Sequence, residues 1–295
     1  MSVNDRAMAP SVPVTGAAAR ARARAGTLAA ACTAVFVAQL ANAMPVSLNG
    51  VFQQSLHTQG SELIWITAAF QVTVVVFEFT FGVLGDLFGR RRLVVVGAVL
   101  LAAGAVVCAL APNVQTLWVG AAINGLGAGA MYPGTLALMA AVSHTPENRA
   151  RSIALWSGFL AGAAVVAPTV GGVFAKAGDW HTPFWVLASL AVIAAVVAKL
   201  LSEECAAPEG RGLDIPGQVT FAAGLLLVMF AAIQGSAAGW SKPYVVWSFI
   251  IGGVLLVAFV AVEARAKTPI LELSLSAAAS TSPGSSRESP AWSLR

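Results

Sequence analysis

The stretch GVLGDLFGRRR, residues 82–92, joins two long apolar segments and decides how the chain can fold. Gly85 and Gly89 permit a tight turn between two antiparallel helices. Asp86 places a carboxylate at the boundary of the apolar segments, where the arginines can pair with it, with lipid phosphates or with another helix end. Three arginines alone would suit any basic loop. The added spacing of Gly, Leu, Asp and Gly indicates a more specific connection.

The composition around this stretch is that of a membrane protein. The 295 residues include 17 Lys+Arg and 13 Asp+Glu, so 10% are charged and 58% are hydrophobic. Soluble domains carry about 25% charged residues. A soluble globule could not cover its surface with so few charges, which excludes a soluble enzyme, a disordered chain and a nucleic-acid binder. An integral membrane protein remains.

Eight apolar windows are long enough to span a bilayer, which requires about 20 residues per helix. They cover roughly residues 27–48, 63–84, 93–111, 116–141, 152–177, 183–201, 216–236 and 244–263. We therefore predict an all-α integral membrane protein with eight transmembrane helices.

The basic residues predict the orientation of these spans. With a cytoplasmic N-terminus, thirteen fall on one side: Arg6, Arg20, Arg22, Arg24, Arg90, Arg91, Arg92, Arg149, Arg151, Lys199, Arg211, Arg265 and Lys267. Two fall on the other side, Lys176 and Lys242. The positive-inside rule then places both termini in the cytoplasm of a multi-pass protein, which we expect in the plasma membrane.

Metal and cofactor chemistry has no support in the sequence. The three cysteines and three histidines lie apart, at Cys32, Cys108, Cys205, His57, His144 and His181. No metal site, disulfide framework or cofactor is predicted from such spacing. A phosphate-binding loop for direct use of ATP is absent as well, and no set of residues indicates an enzyme.

The stretch around Asp86 resembles that of a known family, the major facilitator superfamily. Its loop signature G-x-L-x-D-x-x-G-R-R is matched by Gly82, Leu84, Asp86, Gly89, Arg90 and Arg91. Residues 163–172 resemble the antiporter motif G-x-x-x-G-P-x-x-G-G, with alanines at the first two glycines and matches at Pro168, Gly171 and Gly172. Residues 124–130 resemble the core of the family's helix 4. Residues 43–45 and 213–217 resemble its fourteen-helix drug:proton antiporter branch.

The resemblance implies proton-driven efflux of drugs or other small molecules by two six-helix halves that rock about a central cavity. Pro168 would bend its helix, and Gly171 and Gly172 would admit a close neighbour. Ordinary helix packing explains the two glycines equally well. Two family residues linked to proton coupling are replaced: Ala121 stands at an arginine position and Phe36 at an aspartate position. Asn124 replaces a glutamine.

Glu78 is an ionisable residue inside a predicted span. Such a carboxyl is costly unless it is protonated, faces water or has a partner. Thr67, Gln71 and Glu78 lie on one helical face because they are spaced by four and seven residues. We hypothesise that Glu78 exchanges a proton. A glutamate that reaches toward the membrane surface or bonds a neighbouring helix is an equally good interpretation.

Two further faces carry polar side chains and are expected to line the same cavity. Gln39 and Asn42 share a face of the first helix, and Asn124 and Tyr132 share a face of the fourth. Tryptophans near span ends, among them Trp180, Trp240 and Trp247, indicate an interfacial belt.

The expected organisation is a basic cytoplasmic tail (1–25), a six-helix transporter domain (26–201), a cytoplasmic loop (202–215), two linker-type helices (216–263) and a disordered tail (264–295). Relative to the family this leaves a second six-helix half unaccounted for, so we expect the single chain to be an incomplete transporter. A subunit that works only by assembling with another half-transporter is the alternative.

Overall fold

The computed structural model describes residues 14–58, 60–143, 145–204 and 215–263. Residues 1–13 of the predicted N-terminal tail, the predicted C-terminal tail, most of the 202–215 loop, His144 and Cys205 lie outside them, whereas residues 14–25 belong to the first helix. All regular structure in the described residues is helical. The helices are α1 (Val14–Ala43), a 3-10 turn (Pro45–Leu48), α2 (Asn49–Leu56), α3 (Ser61–Phe88), α4 (Arg90–Ala109), α5 (Val114–Ala141), α6 (Pro146–Lys176), α7 (His181–Leu201), α8 (Ile215–Ala238) and α9 (Pro243–Glu263).

A helix lies at each of the eight predicted windows, which confirms an all-α membrane protein. Within the described residues, seven helical segments are long and apolar enough to cross a membrane, with Ala21–Leu56 counted as one. The remaining window, 116–141, is α5. This helix has 28 residues, but its hydropathy is lowered by five glycines, one proline, one asparagine and one tyrosine. The position of α5 explains this low hydropathy, because the helix packs against α1, α3, α4 and α6 and needs little lipid-facing surface.

Glycines bring α5 into close contact with α4. A Cβ built on Gly127 would lie 2.5 Å from the carbonyl oxygen of Gly97 and 2.5 Å from the backbone nitrogen of Leu101. A Cβ on Gly104 would lie 2.6 Å from the backbone nitrogen of Asn124. Close backbone approach of this kind replaces the hydrophobic driving force that membrane helices lack toward one another.

The chain leaves α1 through a proline. Pro45 has no N–H for a helical hydrogen bond, and it begins the 3-10 turn that connects α1 to α2. Phe52 of α2 is fully buried against Trp180 and Phe184, with ring centroids 5.6 and 6.4 Å away. Trp180 is only 3% exposed, because its ring packs inside the bundle at the start of α7. Trp240 and Trp247 are 59% and 60% exposed.

The α8–α9 hairpin attaches to the rest of the chain through α3. Gln218 of α8 donates from Nε2 to the carbonyl oxygen of Val76, 3.1 Å away. Phe221 packs edge-on against Phe79, with ring centroids 6.4 Å apart. The hairpin therefore covers a side of α3.

We expect Gly127→Ala to destabilise the protein, because its added methyl group would meet backbone atoms that cannot move aside. Overpacking of this kind typically lowers the free energy of unfolding by about 1–3 kcal/mol. Gly158→Ala is the matched control, since a Cβ there meets nothing within 4 Å. Thermal unfolding in detergent should show a lower Tm for Gly127→Ala and an unchanged or higher Tm for Gly158→Ala. Equal Tm values would contradict the close contact.

Asp179 lies just before α7 and should make the stability of this end depend on pH. Hydrogen bonds from Thr182 and then from the His181 N–H lower the pKa of Asp179. The backbone donors of His181 and Thr182 are 2.9 and 3.1 Å from Asp179 Oδ1. Because the folded pKa is depressed, this stabilisation is present at neutral pH and is lost as the pH falls through the folded pKa. The Tm of Asp179→Asn should therefore lie below wild type at neutral pH and converge with it in acid; a gap that does not depend on pH would refute this.

Candidate functional site

The arginine loop, residues 89–92, is held by an ion pair that begins on α3. Arg90 Nη2 lies 2.8 Å from Asp86 Oδ1, one turn earlier, and Arg90 Nε donates to the same oxygen at 3.1 Å. Arg90 Nη1 also donates to the carbonyl oxygen of Ala137 at 3.2 Å. Asp86 is 7% exposed, so the pair is largely shielded from solvent. These bonds join the ends of α3 and α5 to the start of α4.

The glycines of the loop motif have separate roles. Gly89 adopts φ 106°, a conformation that favours glycine, and it connects α3 to α4 directly. A Cβ on Gly85 would lie 2.8 Å from the Leu93 side chain, so Gly85 lets α4 fold back closely. Gly82 faces open space.

Glu204 completes the loop, and the sequence reasoning missed it. Its Oε1 accepts from the Arg91 N–H at 3.2 Å, and its Oε2 lies 3.6 Å from the Nε atoms of both Arg91 and Arg92. A carboxylate at the first turn of a helix is favoured by the exposed N–H groups there. The acidic pair Glu203-Glu204, which follows a span on the predicted side of the arginines, was the available signal.

A cavity of about 330 Å³ opens beside this ion pair, between α3, α4 and α5. Asp86, Arg90 and the exposed Arg149 supply its charged lining, and Pro133 and Leu136 are among its apolar lining residues. The cavity therefore combines an apolar wall with charged groups at one end of the bundle.

The antiporter-type motif lies where α6 crosses the break after α1. A Cβ on Gly171 would collide with Ser47 Oγ and would lie 3.1 Å from the Met44 carbonyl oxygen. Ser47 donates to that same carbonyl at 2.7 Å. Gly172 meets nothing within 4 Å, and Pro168 lies inside α6. Gly171 thus admits the 3-10 turn, whereas Gly172 faces away from the described bundle.

Four of the six residues expected to line a cavity form a hydrogen-bonded chain across three helices. Gln71 Nε2 of α3 donates to Asn42 Oδ1 of α1 at 3.2 Å. Asn42 Nδ2 donates to Gln39 Oε1 at 3.4 Å, and Tyr132 of α5 donates its hydroxyl to the same Gln39 oxygen at 3.0 Å. We call these four residues the polar chain.

Glu78 lies on α3, seven residues after Gln71, and its side chain is half-buried. Because α3 packs on α5, the register of the two helices relates Glu78 to Tyr132. Gly129 lies against Val74 and Phe81, so the next turn of α5 brings Tyr132 opposite Glu78.

Asn124 is separate from the polar chain. Its Nδ2 donates to Cys108 Sγ of α4 at 3.8 Å, and its Oδ1 has no hydrogen-bond partner among the described residues. Asn124 lines a small cavity of about 10 Å³ that Asn42 and Thr67 also line, as does Ala121, which stands at the family's arginine position.

Metal binding has no candidate in the part of the chain that the structure describes. No three His, Cys, Asp or Glu side chains there come together in a group that could hold an ion. Cys32 and Cys108 are both buried and free.

We expect Glu204→Gln to loosen the arginine loop. The variant removes the charge that faces Arg91 and Arg92, and partly exposed ion pairs of this kind contribute about 0–1 kcal/mol each. The melting temperature should therefore change little, while amide hydrogen exchange at residues 90–92 accelerates. Glu203→Gln is the matched control, because the Glu203 contact in the structure is made by its backbone N–H to Thr27. Equal exchange in both variants would argue against the role of Glu204.

Several curated proteins resemble this chain. The Multidrug resistance protein Stp of Mycobacterium tuberculosis is 28% identical over 226 residues, which cover 76% of this chain and 42% of that protein. The Methylenomycin A resistance protein of Bacillus subtilis is 28% identical over a match that covers 82% of this chain and 49% of that protein. The Drug efflux pump JefA of Mycobacterium tuberculosis is 30% identical over a match that covers 79% of this chain and 46% of that protein. The chain thus spans a little less than half the length of these relatives.

Solved structures share the fold. The crystal structure of the peptide transporter POT in complex with sulfate matches with a TM-score of 0.60 at 19% identity, over 82% of this chain and 53% of that one. The POT family transporter PepTSo matches with a TM-score of 0.59 at 16% identity, over 87% and 55%. A family model described as Major Facilitator Superfamily matches residues 31–262, and the chain therefore belongs to the Major Facilitator Superfamily.

Proposed function

We propose that the chain forms the first six-helix half and the linker helices of a transporter that exports drugs or other small molecules in exchange for protons. The domain is residues 26–201, the linker helices are residues 216–263, and both termini are cytoplasmic in a plasma-membrane protein. Relatives described as multidrug, methylenomycin A and puromycin resistance proteins support export of small organic molecules.

The observation that carries the proposal is the position of Glu78. Its carboxyl lies within a span and is half-buried, and its helix, α3, also carries Gln71 of the polar chain that joins α1, α3 and α5. An ionised carboxylate inside a membrane is energetically costly, whereas the neutral acid is tolerated. The protonation state of such a carboxyl therefore depends on which side of the membrane supplies water to it. A proton taken up and released there would couple the proton gradient to rearrangement of these helices.

The arginine loop would have a different role in this transporter. Asp86, Arg90, Arg91 and Glu204 are tied to one another and to α5 or α7, so the loop would fix the ends of these helices at the cytoplasmic surface. The neighbouring charged cavity would then receive a polar group of the second transporter half.

A half-transporter subunit that assembles with another chain is the second candidate, and α6 favours it. Apart from α1 and the 3-10 turn, α6 makes few contacts. Gly158, Gly162 and Gly172 all face open space, and Val165 is 74% exposed. A partner helix could approach this surface closely. The mass of the detergent-solubilised protein tests the idea, and a strict monomer would refute it.

We expect proteoliposomes that contain the chain joined to a second six-helix half to accumulate labelled puromycin when a pH gradient is imposed. Glu78→Gln should reduce gradient-driven uptake to the level of protein-free vesicles, because the amide cannot exchange a proton. Glu147→Gln is the matched control, since Glu147 is exposed and pairs with Arg151 at 2.7 Å. Full gradient-driven uptake by Glu78→Gln would refute a proton-carrying role for Glu78.

A further inference from the structure

Asn124 of α5 is a buried amide whose hydrogen bonds are incomplete. The residue is 3% exposed, and its Oδ1 has no hydrogen-bond partner among the described residues. Its Nδ2 donates one proton to Cys108 Sγ at 3.8 Å and has a second proton to donate. Gly104 of α4 makes room for the amide, because a Cβ on Gly104 would lie 2.6 Å from Asn124 Oδ1. A buried amide oxygen without a donor is energetically costly, so this group calls for a further ligand.

The break after α1 leaves a second buried acceptor close by. In a regular helix the carbonyl oxygen of Ala41 accepts from the N–H of residue 45, and Pro45 has no N–H. Ala41 is 2% exposed. Ala41, Asn42 and Asn124 line one small cavity, which Thr67 of α3 also lines. Two buried acceptors are therefore gathered around the same space as two groups that can donate, the Asn42 amide and the Thr67 hydroxyl.

The cavity suits one small, neutral ligand that both donates and accepts hydrogen bonds. Its volume is about 10 Å³, and a buried water molecule needs roughly 10–15 Å³. None of the described residues that line it is Asp, Glu, Lys, Arg or His, so no charged side chain there compensates an ion. A cation could not accept from the Asn42 amide, and an anion could not donate to Asn124 Oδ1. Water meets both requirements.

We propose that this cavity binds one water molecule, which joins Asn124 to the polar chain. The water donates to Asn124 Oδ1 and to the Ala41 carbonyl oxygen, and it accepts the second Nδ2 proton of Asn42. The first proton of that Nδ2 is donated to Gln39 Oε1 at 3.4 Å. Three hydrogen bonds are typical of a buried water. Through Asn124 and Cys108, the polar chain then reaches α4 as well.

Ala121 is the position at which this water can be displaced without removing any of its partners. Its side chain is 5% exposed and lines the cavity one turn before Asn124. A larger side chain at residue 121 would enter the space that the water uses. The site is independent of proton exchange at Glu78, so the water and the proposed function can fail separately.

The experiment is water-edited solid-state NMR of the full chain in lipid bilayers, labelled uniformly with ¹⁵N and ¹³C. Magnetisation is selected on water and passed to nearby protons, and the side-chain amide resonances of asparagine are then recorded. The Asn124 resonance is identified by its loss in Asn124→Leu. The backbone amide of Ala128 is the internal control, because Ala128 is fully buried one turn further along α5 and does not line this cavity.

We expect the Asn124 side chain to receive water magnetisation at short mixing times several-fold more strongly than the Ala128 amide, although both residues are buried. In Ala121→Val, whose added methyl groups occupy the cavity, the Asn124 signal should fall to the Ala128 level. Ala122→Val is the matched control and should keep the wild-type signal, since Ala122 does not line the cavity. Circular dichroism and Tm establish that each variant is folded.

An Asn124 signal in the wild-type protein that is no stronger than that of Ala128 would overturn the water site, and this result requires no variant. Persistence of the signal in folded Ala121→Val would also overturn it. A wild-type Asn124 resonance that shifts when NaCl is replaced by choline chloride would identify a cation site instead and would likewise exclude the water.

Discussion

A bilayer interior offers no water, so every backbone polar group within a span must find its partner inside the protein. Helices satisfy the backbone, which explains why the described spans are helical. The polar side chains that remain then have few choices. Gln71, Asn42, Gln39 and Tyr132 bond one another across three helices, and Asp86 bonds Arg90. The candidate site is the set of polar groups that this constraint gathers together.

The sequence predicts each helix well and each contact between helices poorly. Apolar length located all eight windows, and only α5 is too polar to qualify by composition, because it is surrounded by other helices. Periodicity placed Gln39 and Asn42 on one face of α1, yet it could not tell which helix that face meets. The bond from Tyr132 to Gln39 spans 93 positions of sequence, and the bond from Arg91 to Glu204 spans 113. Such contacts depend on the tertiary arrangement, which no local pattern specifies.

Tertiary contacts also determine the environments of the Gly171–Gly172 pair and of Trp180. Gly171 and Gly172 are adjacent and look equivalent, but they point to different sides of α6, and only Gly171 meets the 3-10 turn. Trp180 lies near a span end, as an interfacial residue would, but its ring packs against Phe52 of α2. In both cases the contact is made by the segment after α1: the 3-10 turn meets Gly171 of α6, and Phe52 of α2 meets Trp180 before α7.

The lack of ionisable side chains at Phe36 and Ala121 makes Glu78 more important for the proposed proton exchange. Without an aspartate in α1 or an arginine in α5, neither helix offers an ionisable partner near the polar chain except Tyr132. Under the proposed function, the exchangeable proton therefore resides on α3. This helix carries Gln71 at one end of the polar chain, then Glu78, and then Asp86 at the arginine loop, and the carbonyl oxygen of its Val76 accepts a hydrogen bond from α8. Because a helix is stiff along its axis, a shift driven at Glu78 would move the Asp86–Arg90 pair and the α8–α9 hairpin with it. The loop motif and the proton site would thus be coupled through α3 alone, without the two residues that the family otherwise uses.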